Sequence, residues 1–304
     1  MLPQEIKNKR ILISVLNWGI GHVSRSIGLI QQLIEQENTV VIACDEVQKD
    51  IFSQYFSEIQ FIAHDGYPFL FKGRGNFATD LLKSSKNLSA RMRKEQKEVE
   101  KYIIEHQIDL VLSDHRYGFI STVVDSVFIT HQLNLPVKWY QFAAQKLHVN
   151  LLRKFSEIWI LDFEDNRLAG KLSKNIKGLD CEYIGPYSRF MSCDSVEKTG
   201  GTIIVASGPL IYAQQFVNEQ FLDEQSEKTK VIAPSGVSIP VGVERIASNW
   251  KTQDSELLKA KKIISRSGYS TIMDLHFLKC DSELTPTKGQ LEQIYLSSLH
   301  KKRP

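Results

Sequence analysis

The chain has 304 residues, 42% of them hydrophobic, and a formal net charge of +3. This length suffices for two domains, the composition is that of a soluble globular protein, and no run approaches the ~20 apolar residues of a membrane span. The start, Met1–Glu5, lacks a cationic stretch followed by an apolar one, so no signal peptide is expected. Four cysteines without Cys-x-x-Cys spacing predict reduced thiols, a cytoplasmic location and no metal site: Cys44, Cys181, Cys193 and Cys280.

A glycine-rich turn follows the first apolar run of the chain. Residues 11–16 are typical of a buried parallel strand, and an apolar face of helical spacing begins at Val23. Between them the sequence reads Asn17-Trp18-Gly19-Ile20-Gly21-His22-Val23-Ser24-Arg25. A histidine on a glycine loop at a helix start favours a functional role over a surface or core position. The turn therefore predicts an acceptor or phosphate loop containing Gly19, Gly21 and Arg25, with His22 as a catalytic candidate.

Apolar runs that alternate with helical patterns predict an α/β protein with a parallel sheet covered on both faces. Residues 184–190 are typical of a hinge, and a polar stretch at 192–201 follows them. We therefore expect an N-terminal domain at 1–190 and a C-terminal domain at 191–304. The predicted strands are 11–16, 39–43, 59–62, 108–113, 137–141, 157–161, 181–184 and 202–206.

Ionisable residues stand directly after the predicted strand 108–113. The sequence there reads Ser113-Asp114-His115-Arg116-Tyr117-Gly118. A carboxylate and an imidazole at the carboxyl edge of a parallel sheet lie where a base or an acceptor-binding group is needed. Asp114 and His115 are therefore candidates for the site. The alternative is a solvated loop in which Asp114 caps a helix.

The span Lys72–Lys97 carries eight cations against Asp80 and Glu95, a local charge of +6, with four apolar residues at its front. Basic residues beside exposed apolar ones allow a protein to rest on an anionic membrane surface. The alternative is a solvated helix face. Nucleic-acid binding is not expected, because no recognised motif or aromatic-stacking module accompanies the charge. The cations are Lys72, Arg74, Lys83, Lys86, Arg91, Arg93, Lys94 and Lys97, and the apolar residues are Phe69, Leu70, Phe71 and Phe77.

The most informative segment lies at 263–293. An apolar pair runs into Ser265-Arg266-Ser267-Gly268, and a helical pattern begins near Tyr269. Backbone N–H groups left unpaired at such a helix start form a ready site for a phosphate. Ser207 and Gly208 end the predicted strand 202–206, where an open α/β sheet also binds ligands. The pattern predicts a nucleotide-sugar pocket made of Ser207, Gly208, Ser267, Gly268, Ser270, Thr271, Asp274, Gln290, Glu292 and Gln293; the alternative is an ordinary strand–helix turn.

Residues 265–274 and 286–293, together with Gly-x-Gly-His-x-x-Arg at 19–25, resemble glycosyltransferase family 28. The resemblance implies a GT-B fold, in which two Rossmann-like domains face a cleft. It also implies that the turn at Gly268 faces the diphosphate of a UDP-sugar, that Asp274 holds the ribose, and that Gln290 and Gln293 hold the sugar. The family usually has glutamate where this chain has Asp274. Its second domain is also usually longer, so we expect a trimmed domain without the last helix that crosses back.

The resemblance implies an inverting glycosyltransferase that meets a lipid-linked acceptor through its first domain, at the inner membrane face. We expect no metal, because no Asp-x-Asp motif is present, and no cofactor beyond the nucleotide-sugar substrate. His22 is the first candidate for the group that contacts acceptor or diphosphate, with Asp114 or His115 as the second candidate for the base. Two alternatives stay open: a nucleotide-sugar epimerase or hydrolase, and a non-catalytic nucleotide-sugar sensor. A dehydrogenase is more distant, because Ser24 stands where a dinucleotide fingerprint needs glycine.

Overall fold

The computed structural model describes residues 1–68, 77–136, 142–221 and 229–301, and gives side chains of the helix that begins at Phe77 from Leu88 onwards. The chain divides into two compact units between Arg189 and Phe190. This division lies next to the boundary expected from the hinge-like sequence. Each unit is built on one parallel sheet with helices, which confirms the predicted α/β class.

The first unit contains a seven-stranded sheet. Its strands are β1 (Arg10–Val15), β2 (Thr39–Cys44), β3 (Gln60–Ala63), β4 (Leu110–Asp114), β5 (Asp125–Thr130), β6 (Glu157–Ile160) and β7 (Cys181–Tyr183). They pair in the order β3-β2-β1-β4-β5-β6-β7, and each of these pairs is parallel. The α-helices of the described ranges are α1 (Gly21–Glu35), α2 (Glu46–Phe52), α3 (Phe77–His106) and α4 (Phe142–Leu152).

The central strands of this sheet are buried along almost their whole length. In β1, every residue from Ile11 to Val15 is buried, because helices cover both faces of a parallel sheet. On one face, Leu12 and Val111 pack with Val99 and Ile103 of α3. This is why residues 11–13 of β1 and 110–112 of β4 are continuous apolar runs and not alternating ones.

Strand β5 differs from the sequence prediction, which placed no strand at Asp125–Thr130. Its apolar part is only three residues long, and both flanking positions are polar. Those polar residues are nevertheless buried, because the fold pairs their hydroxyls: the Ser126 Oγ accepts from the Ser121 N–H at 2.9 Å, and the Thr130 Oγ1 accepts from the Gln132 N–H at 2.8 Å. The strand predicted at 137–141 lies outside the described residues.

The second unit contains a five-stranded sheet. Its strands are β8 (Thr202–Val205), β9 (Thr229–Ile232), β10 (Glu244–Arg245), β11 (Lys262–Arg266) and β12 (Asp281–Thr285). They pair in parallel in the order β10-β9-β8-β11-β12. The described helices are α5 (Leu210–Gln220), α6 (Trp250–Lys259), α7 (Tyr269–Leu278) and α8 (Leu291–His300).

Each sheet has a point where the strand order reverses. In the first unit it lies between β1 and β4, where Val15 pairs with Asp114. In the second it lies between β8 and β11, where Val205 pairs with Ser265. Open α/β sheets bind ligands beyond the carboxyl ends of the strands at such points. Both groups of residues singled out in the sequence therefore follow strands that meet at a switch point.

Among the described side chains of the basic span, one cation does not belong to the surface. Arg91 is not a surface cation, because it is buried and its Nη1 lies 2.7 Å from the Glu98 Oε2. Arg93, Lys94 and Lys97 are exposed. Lys72, Arg74 and the aromatic residues before Phe77 lie outside the described residues, as do the side chains of Lys83 and Lys86. In the described part of the chain, no helix combines the length and apolar character needed to cross a membrane.

Candidate active site

His22 and Asp114 form the centre of the candidate site in the first unit. His22 lies in the first turn of α1, and Asp114 is the last residue of β4. Because β1 and β4 are parallel neighbours, the turn after β1 and the end of β4 lie at the same sheet edge. The Nδ1 atom of His22 is 3.0 Å from the Oδ1 atom of Asp114. The Asp114 side chain is 1% exposed, whereas that of His22 is 19% exposed and so reaches the surface.

Arg25 lies one helical turn after His22 and faces the same carboxylate. Its Nε donates to the Asp114 Oδ2 at 2.8 Å, and its Nη2 donates to the Asp114 Oδ1. The same Nη2 lies 2.8 Å from the His22 Nδ1. The sequence assigned Arg25 to an acceptor or phosphate loop. The structure instead places its guanidinium, 3% exposed, inside the unit on Asp114.

Two further histidines flank this group. The His115 ring lies edge-on to the His22 ring, with ring centroids 5.2 Å apart, and its Nε2 is 2.7 Å from the Thr130 Oγ1. His115 has a φ of 59°, a left-handed conformation that is uncommon outside glycine. His131, which the sequence analysis did not single out, lies with its Nδ1 3.3 Å from the Arg25 Nη1. The sequence signal for His131 is its position directly after β5, but the sequence analysis did not predict that strand.

Burial and the neighbouring charges together determine the protonation of this group. Burial by itself would raise the pKa of Asp114, but Arg25 and His22 hold it far below its ordinary value, so the carboxylate is ionised. Burial lowers the pKa of His22, and the Arg25 charge lowers it further against the opposing effect of Asp114. Burial and Arg25 also hold the pKa of His115 well below its ordinary value. Both imidazoles are therefore neutral near pH 7.

The glycine turn before α1 has a backbone conformation that requires glycine at one position. Gly19 has a φ of 141°, a conformation that side chains other than glycine rarely adopt. Asn17 accepts a hydrogen bond on its Oδ1 from the Tyr67 N–H at 3.0 Å. Gly66 packs so closely on Asn17 that a Cβ there would lie 1.9 Å from the Asn17 Nδ2. The loop after β3 thus supports the glycine turn from one side.

A second buried ion pair holds that supporting loop. The Arg116 Nη2 lies 2.5 Å from the Glu95 Oε1, and both side chains are 0% exposed. The Tyr67 hydroxyl donates to the Glu95 Oε2 at 2.5 Å, and the Arg116 Nη2 donates to the Asp65 carbonyl at 2.7 Å. Arg116 follows the candidate residues Asp114 and His115 directly in sequence. It nevertheless serves the structure of a different loop.

In the second unit, the predicted phosphate turn starts α7. Gly268 is the N-cap residue, and no side chain caps this helix start. Its φ of −73° is open to any residue, and a Cβ there would meet nothing closer than the Thr271 Oγ1 at 4.0 Å. Ser267 is fully buried, and its hydroxyl donates to the Gln293 carbonyl at 2.8 Å. The structure therefore gives Ser267 a packing role and leaves space around Gly268.

The turn after β8 lies at the same sheet edge, because β8 and β11 are neighbours. Ser207 is half-buried, and Gly208 is exposed with a φ of 95°. Helix α5 begins directly afterwards, with Pro209 as its N-cap. The N-termini of α5 and α7 thus follow adjacent strands. Helix starts carry partial positive charge, which favours an anionic group at this edge.

The other predicted donor residues occupy α7 and the start of α8. Ser270, Thr271 and Asp274 are half-buried in the first two turns of α7. Gln290 is the N-cap of α8 but makes no side-chain cap, and Glu292 is half-buried in its first turn. The Oε1 atom of Gln293 accepts a hydrogen bond from the Thr287 N–H in the preceding turn at 2.8 Å. Its assignment to the sugar therefore competes with a structural role.

A basic residue, Arg266, stands two positions before Gly268 in the phosphate turn. Its side chain is 9% exposed, and its Nη2 lies 3.0 Å from the Glu219 Oε2. Its guanidinium carbon stands 4.4 Å from the Phe216 ring centroid. Arg266, at the end of β11, thus contacts two residues of α5 and stabilises the packing of that helix on the sheet. Among the described residues there is no cluster of three or more metal-binding side chains.

Comparison with known proteins establishes the fold. No protein-family model matches the sequence, and no curated protein is significantly similar to it. The spinosyn rhamnosyltransferase SpnG matches 95% of this chain over 83% of its own length, with a TM-score of 0.60 and 14% identity. The glycosyltransferase SsfS6 of Streptomyces sp. SF2575, solved with thymidine diphosphate, matches 93% over 83% of its length, with a TM-score of 0.56 and 13% identity.

The Arabidopsis thaliana protein UGT89C1, solved with UDP-L-rhamnose, matches 96% of this chain over 82% of its own length. Its TM-score is 0.58 at 13% identity. Identities this low relate architectures and not individual residues. The chain has the α/β fold, with two parallel-sheet units, of the GT-B glycosyltransferases.

Proposed function

We propose that this protein is a glycosyltransferase that moves a sugar from a nucleoside-diphosphate sugar to a hydroxyl group of an acceptor. The observation that carries the proposal is the His22–Asp114 pair, a neutral, partly exposed imidazole backed by a buried, ionised carboxylate. It lies at the strand-order switch point, where ligands of open α/β sheets bind. The fold shared with SpnG and SsfS6, both described as sugar transferases, supports the same reaction class.

His22 acts as the general base in this proposal. With Nδ1–H donated to Asp114, the Nε2 lone pair is directed away from the carboxylate and can accept the proton of an acceptor hydroxyl. The hydroxyl oxygen then bonds to the anomeric carbon while the bond from that carbon to the diphosphate oxygen breaks. The electron pair of the broken bond leaves with the nucleoside diphosphate. Asp114 stabilises the imidazolium that forms, as a buried carboxylate does beside a catalytic histidine.

The second unit binds the donor in this proposal. The diphosphate lies at the starts of α5 and α7, whose N–H groups and dipoles stabilise the negative charge that grows on the leaving group. Asp274 accepts hydrogen bonds from the ribose hydroxyls, and Gln290 and Gln293 contact the sugar. The resemblance to family 28 favours a UDP-sugar and inversion of the anomeric carbon. SsfS6 and SpnG have both been solved with thymidine diphosphate, so both nucleotides require testing.

The acceptor belongs to the first unit in this proposal. Among the described side chains of the basic span, Arg93, Lys94 and Lys97 are exposed and Arg91 is buried. A lipid-linked acceptor at an anionic membrane surface therefore stays a prediction. Transfer without a metal ion also stays a prediction, which a chelator tests directly.

The deciding experiment measures nucleoside-diphosphate release from UDP- and TDP-sugars, with a panel of hydroxyl acceptors and without any acceptor. We expect release that requires both an acceptor and His22, together with a glycosylated product seen by mass spectrometry. Acceptor-independent release would instead indicate a hydrolase. Tight binding of the nucleotide sugar without release for any acceptor would replace the enzyme by a non-catalytic sensor.

A further inference from the structure

We propose that Arg25 is a positioning residue for the His22–Asp114 pair: its guanidinium fixes the carboxylate with two hydrogen bonds and keeps the imidazole neutral and ready to accept a proton. This inference deepens the proposed function and rests on it where turnover is concerned. Arg25 is buried, lies one turn from His22 on α1, and contacts both members of the pair.

The first support is the set of partners that the two carboxylate oxygens of Asp114 have. The Oδ2 atom of Asp114 accepts from the Arg25 Nε at 2.8 Å and is 3.4 Å from the Ser26 Oγ. The Oδ1 atom accepts from the Arg25 Nη2 and lies 3.0 Å from the His22 Nδ1. A two-point contact between guanidinium and carboxylate fixes the carboxylate plane. Arg25 therefore sets the direction from which Oδ1 meets the imidazole.

The second support is the hydrogen-bonding capacity of the His22 Nδ1. This atom lies within hydrogen-bond distance of the Arg25 Nη2, which can only donate, and of the Asp114 Oδ1, which as a carboxylate oxygen can only accept. It can donate to Asp114 or accept from Arg25, but it cannot do both. The tautomer with Nδ1–H leaves Nε2 as the base, and the other tautomer places the proton on Nε2. The first tautomer is favoured, because the Arg25 Nη2 already donates to Asp114 Oδ1 and an ionised carboxylate is a stronger hydrogen-bond acceptor than a neutral imidazole nitrogen.

The third support is the charge surrounding His22. Among the described residues, the titratable and charged groups that face it are Asp114 at the end of β4, Arg25 on α1, His115 after β4 and His131 after β5. His115 is neutral near pH 7, because burial and Arg25 hold its pKa well below the ordinary value. Arg25 is the one group among these four that keeps a positive charge at all working pH values. It therefore compensates the Asp114 charge, which would otherwise favour a protonated His22.

It follows that Asp114 and Arg25 have different effects on His22. A carboxylate alone beside His22 would orient the ring but would also raise its pKa against the lowering effect of burial, and so favour the imidazolium. A general base must be unprotonated before the reaction. Arg25 lets Asp114 orient the ring while the ring stays neutral.

The test compares Arg25→Gln, Arg25→Lys and wild type by NMR titration of the His22 ring and by the pH profile of kcat/KM. We expect Arg25→Gln to move the His22 titration and the acid limb of the profile to higher pH, by about one unit or more, since a charge within ~4–6 Å shifts a pKa by ~1–3 units. Arg25→Lys keeps the charge but loses the two-point contact. It should titrate like wild type while kcat falls about tenfold, the scale of one lost charge-assisted hydrogen bond.

The matched control is Arg116→Lys, which alters an equally buried arginine that pairs with Glu95. It should lower the melting temperature without moving the His22 titration. An unchanged or downward-moving His22 titration in Arg25→Gln would overturn the inference. If Arg25→Gln does not fold, Arg25→Lys decides, and a wild-type kcat in that variant would overturn the inference equally. A shifted titration in a protein that transfers no sugar would instead refute the proposed function and leave the electrostatic role of Arg25 standing.

Discussion

The Nδ1 atom of His22 lies 3.0 Å from the Oδ1 atom of Asp114, although 92 residues of chain separate the two. The contact exists because β4 pairs with β1, so that the last residue of β4 reaches the helix that follows β1. One member of the pair is buried and ionised, and the other is neutral and partly exposed. This asymmetry is what a general base and its orienting carboxylate require.

His22→Ala should leave donor affinity nearly unchanged and reduce turnover by ~10²–10⁴-fold, the usual contribution of a general base. The reason is that the proposal assigns the donor to the second unit and the base to the first. Calorimetry with the nucleoside diphosphate and steady-state rates measure the two quantities separately. EDTA added to the wild-type protein serves as the control and should not change the rate. Normal turnover in the variant, or activity lost with EDTA and restored by magnesium, would refute this mechanism.

Uridine diphosphate should raise the melting temperature, because a ligand that binds only the folded state stabilises it by mass action. Asp274→Ala should weaken binding about tenfold, on the order of one hydrogen bond to a charged group. Differential scanning fluorimetry over a nucleotide concentration series measures both. Thymidine diphosphate provides the comparison for base selectivity. Stabilisation by adenine or nicotinamide nucleotides alone would show that the donor assignment is wrong.

Gln290→Ala should impair binding of the nucleotide sugar more than binding of the bare nucleoside diphosphate, because this side chain is assigned to the sugar. Gln293→Ala should show the same selectivity and also lower the melting temperature, since its Oε1 accepts from the Thr287 N–H at 2.8 Å. Calorimetry with both ligands, together with thermal denaturation, separates the two effects. Equal losses for both ligands would remove these residues from the sugar pocket.

Gly268→Val should leave stability nearly unchanged and weaken nucleoside-diphosphate binding at least about tenfold, because the new side chain would stand over the N–H groups at the start of α7. The backbone conformation accepts any residue, and the nearest atom to a new Cβ is 4.0 Å away. Gly118→Ala is the matched contrast. Its Cβ would lie 2.6 Å from the Met92 carbonyl oxygen, so it should lower the melting temperature and leave binding to the folded protein intact. Tight binding by Gly268→Val would place the diphosphate elsewhere.

Stability should decrease as the pH falls from 6.5 towards 4. Burial lowers the pKa of His148 to about 4 from an ordinary 6.5, so the unfolded chain binds this proton at a higher pH than the folded protein does. The stability contributed by neutral His148 is therefore complete above pH 6.5 and is lost as the pH falls, by about 3 kcal/mol at ~1.4 kcal/mol per unit. His148→Gln should flatten the dependence measured by urea denaturation at several pH values. His276→Gln, at an exposed position, should not flatten it.

Much of the architecture follows from the sequence. The apolar run at β1, the glycine turn and the amphipathic α1 form one local strand–turn–helix pattern, and the segment from β11 to α7 forms another. These patterns depend on neighbours a few residues apart, so periodicity and turn chemistry reveal them. Strand β5 was not predicted from the sequence, because the polar residues Ser126 and Thr130 flank its short apolar part. Their hydroxyls are buried through hydrogen bonds that form only in the folded structure.

The partners of the charged residues were decided by the tertiary structure. Arg25 was predicted to belong to an acceptor or phosphate loop, and Arg91 and Glu95 to a basic span on the surface. All three are buried in ion pairs. The sequence shows that a charge is present and cannot show which opposite charge the fold will bring beside it. Because β1 pairs with β4, Asp114 lies beside His22 and Arg25. Arg116 lies two residues after the end of β4 and pairs with Glu95. Burying a charge costs free energy unless a partner compensates it. Long-range strand pairing brings Asp114 to Arg25 and Arg116 to Glu95, whereas Arg91 meets Glu98 about two turns further along its own helix.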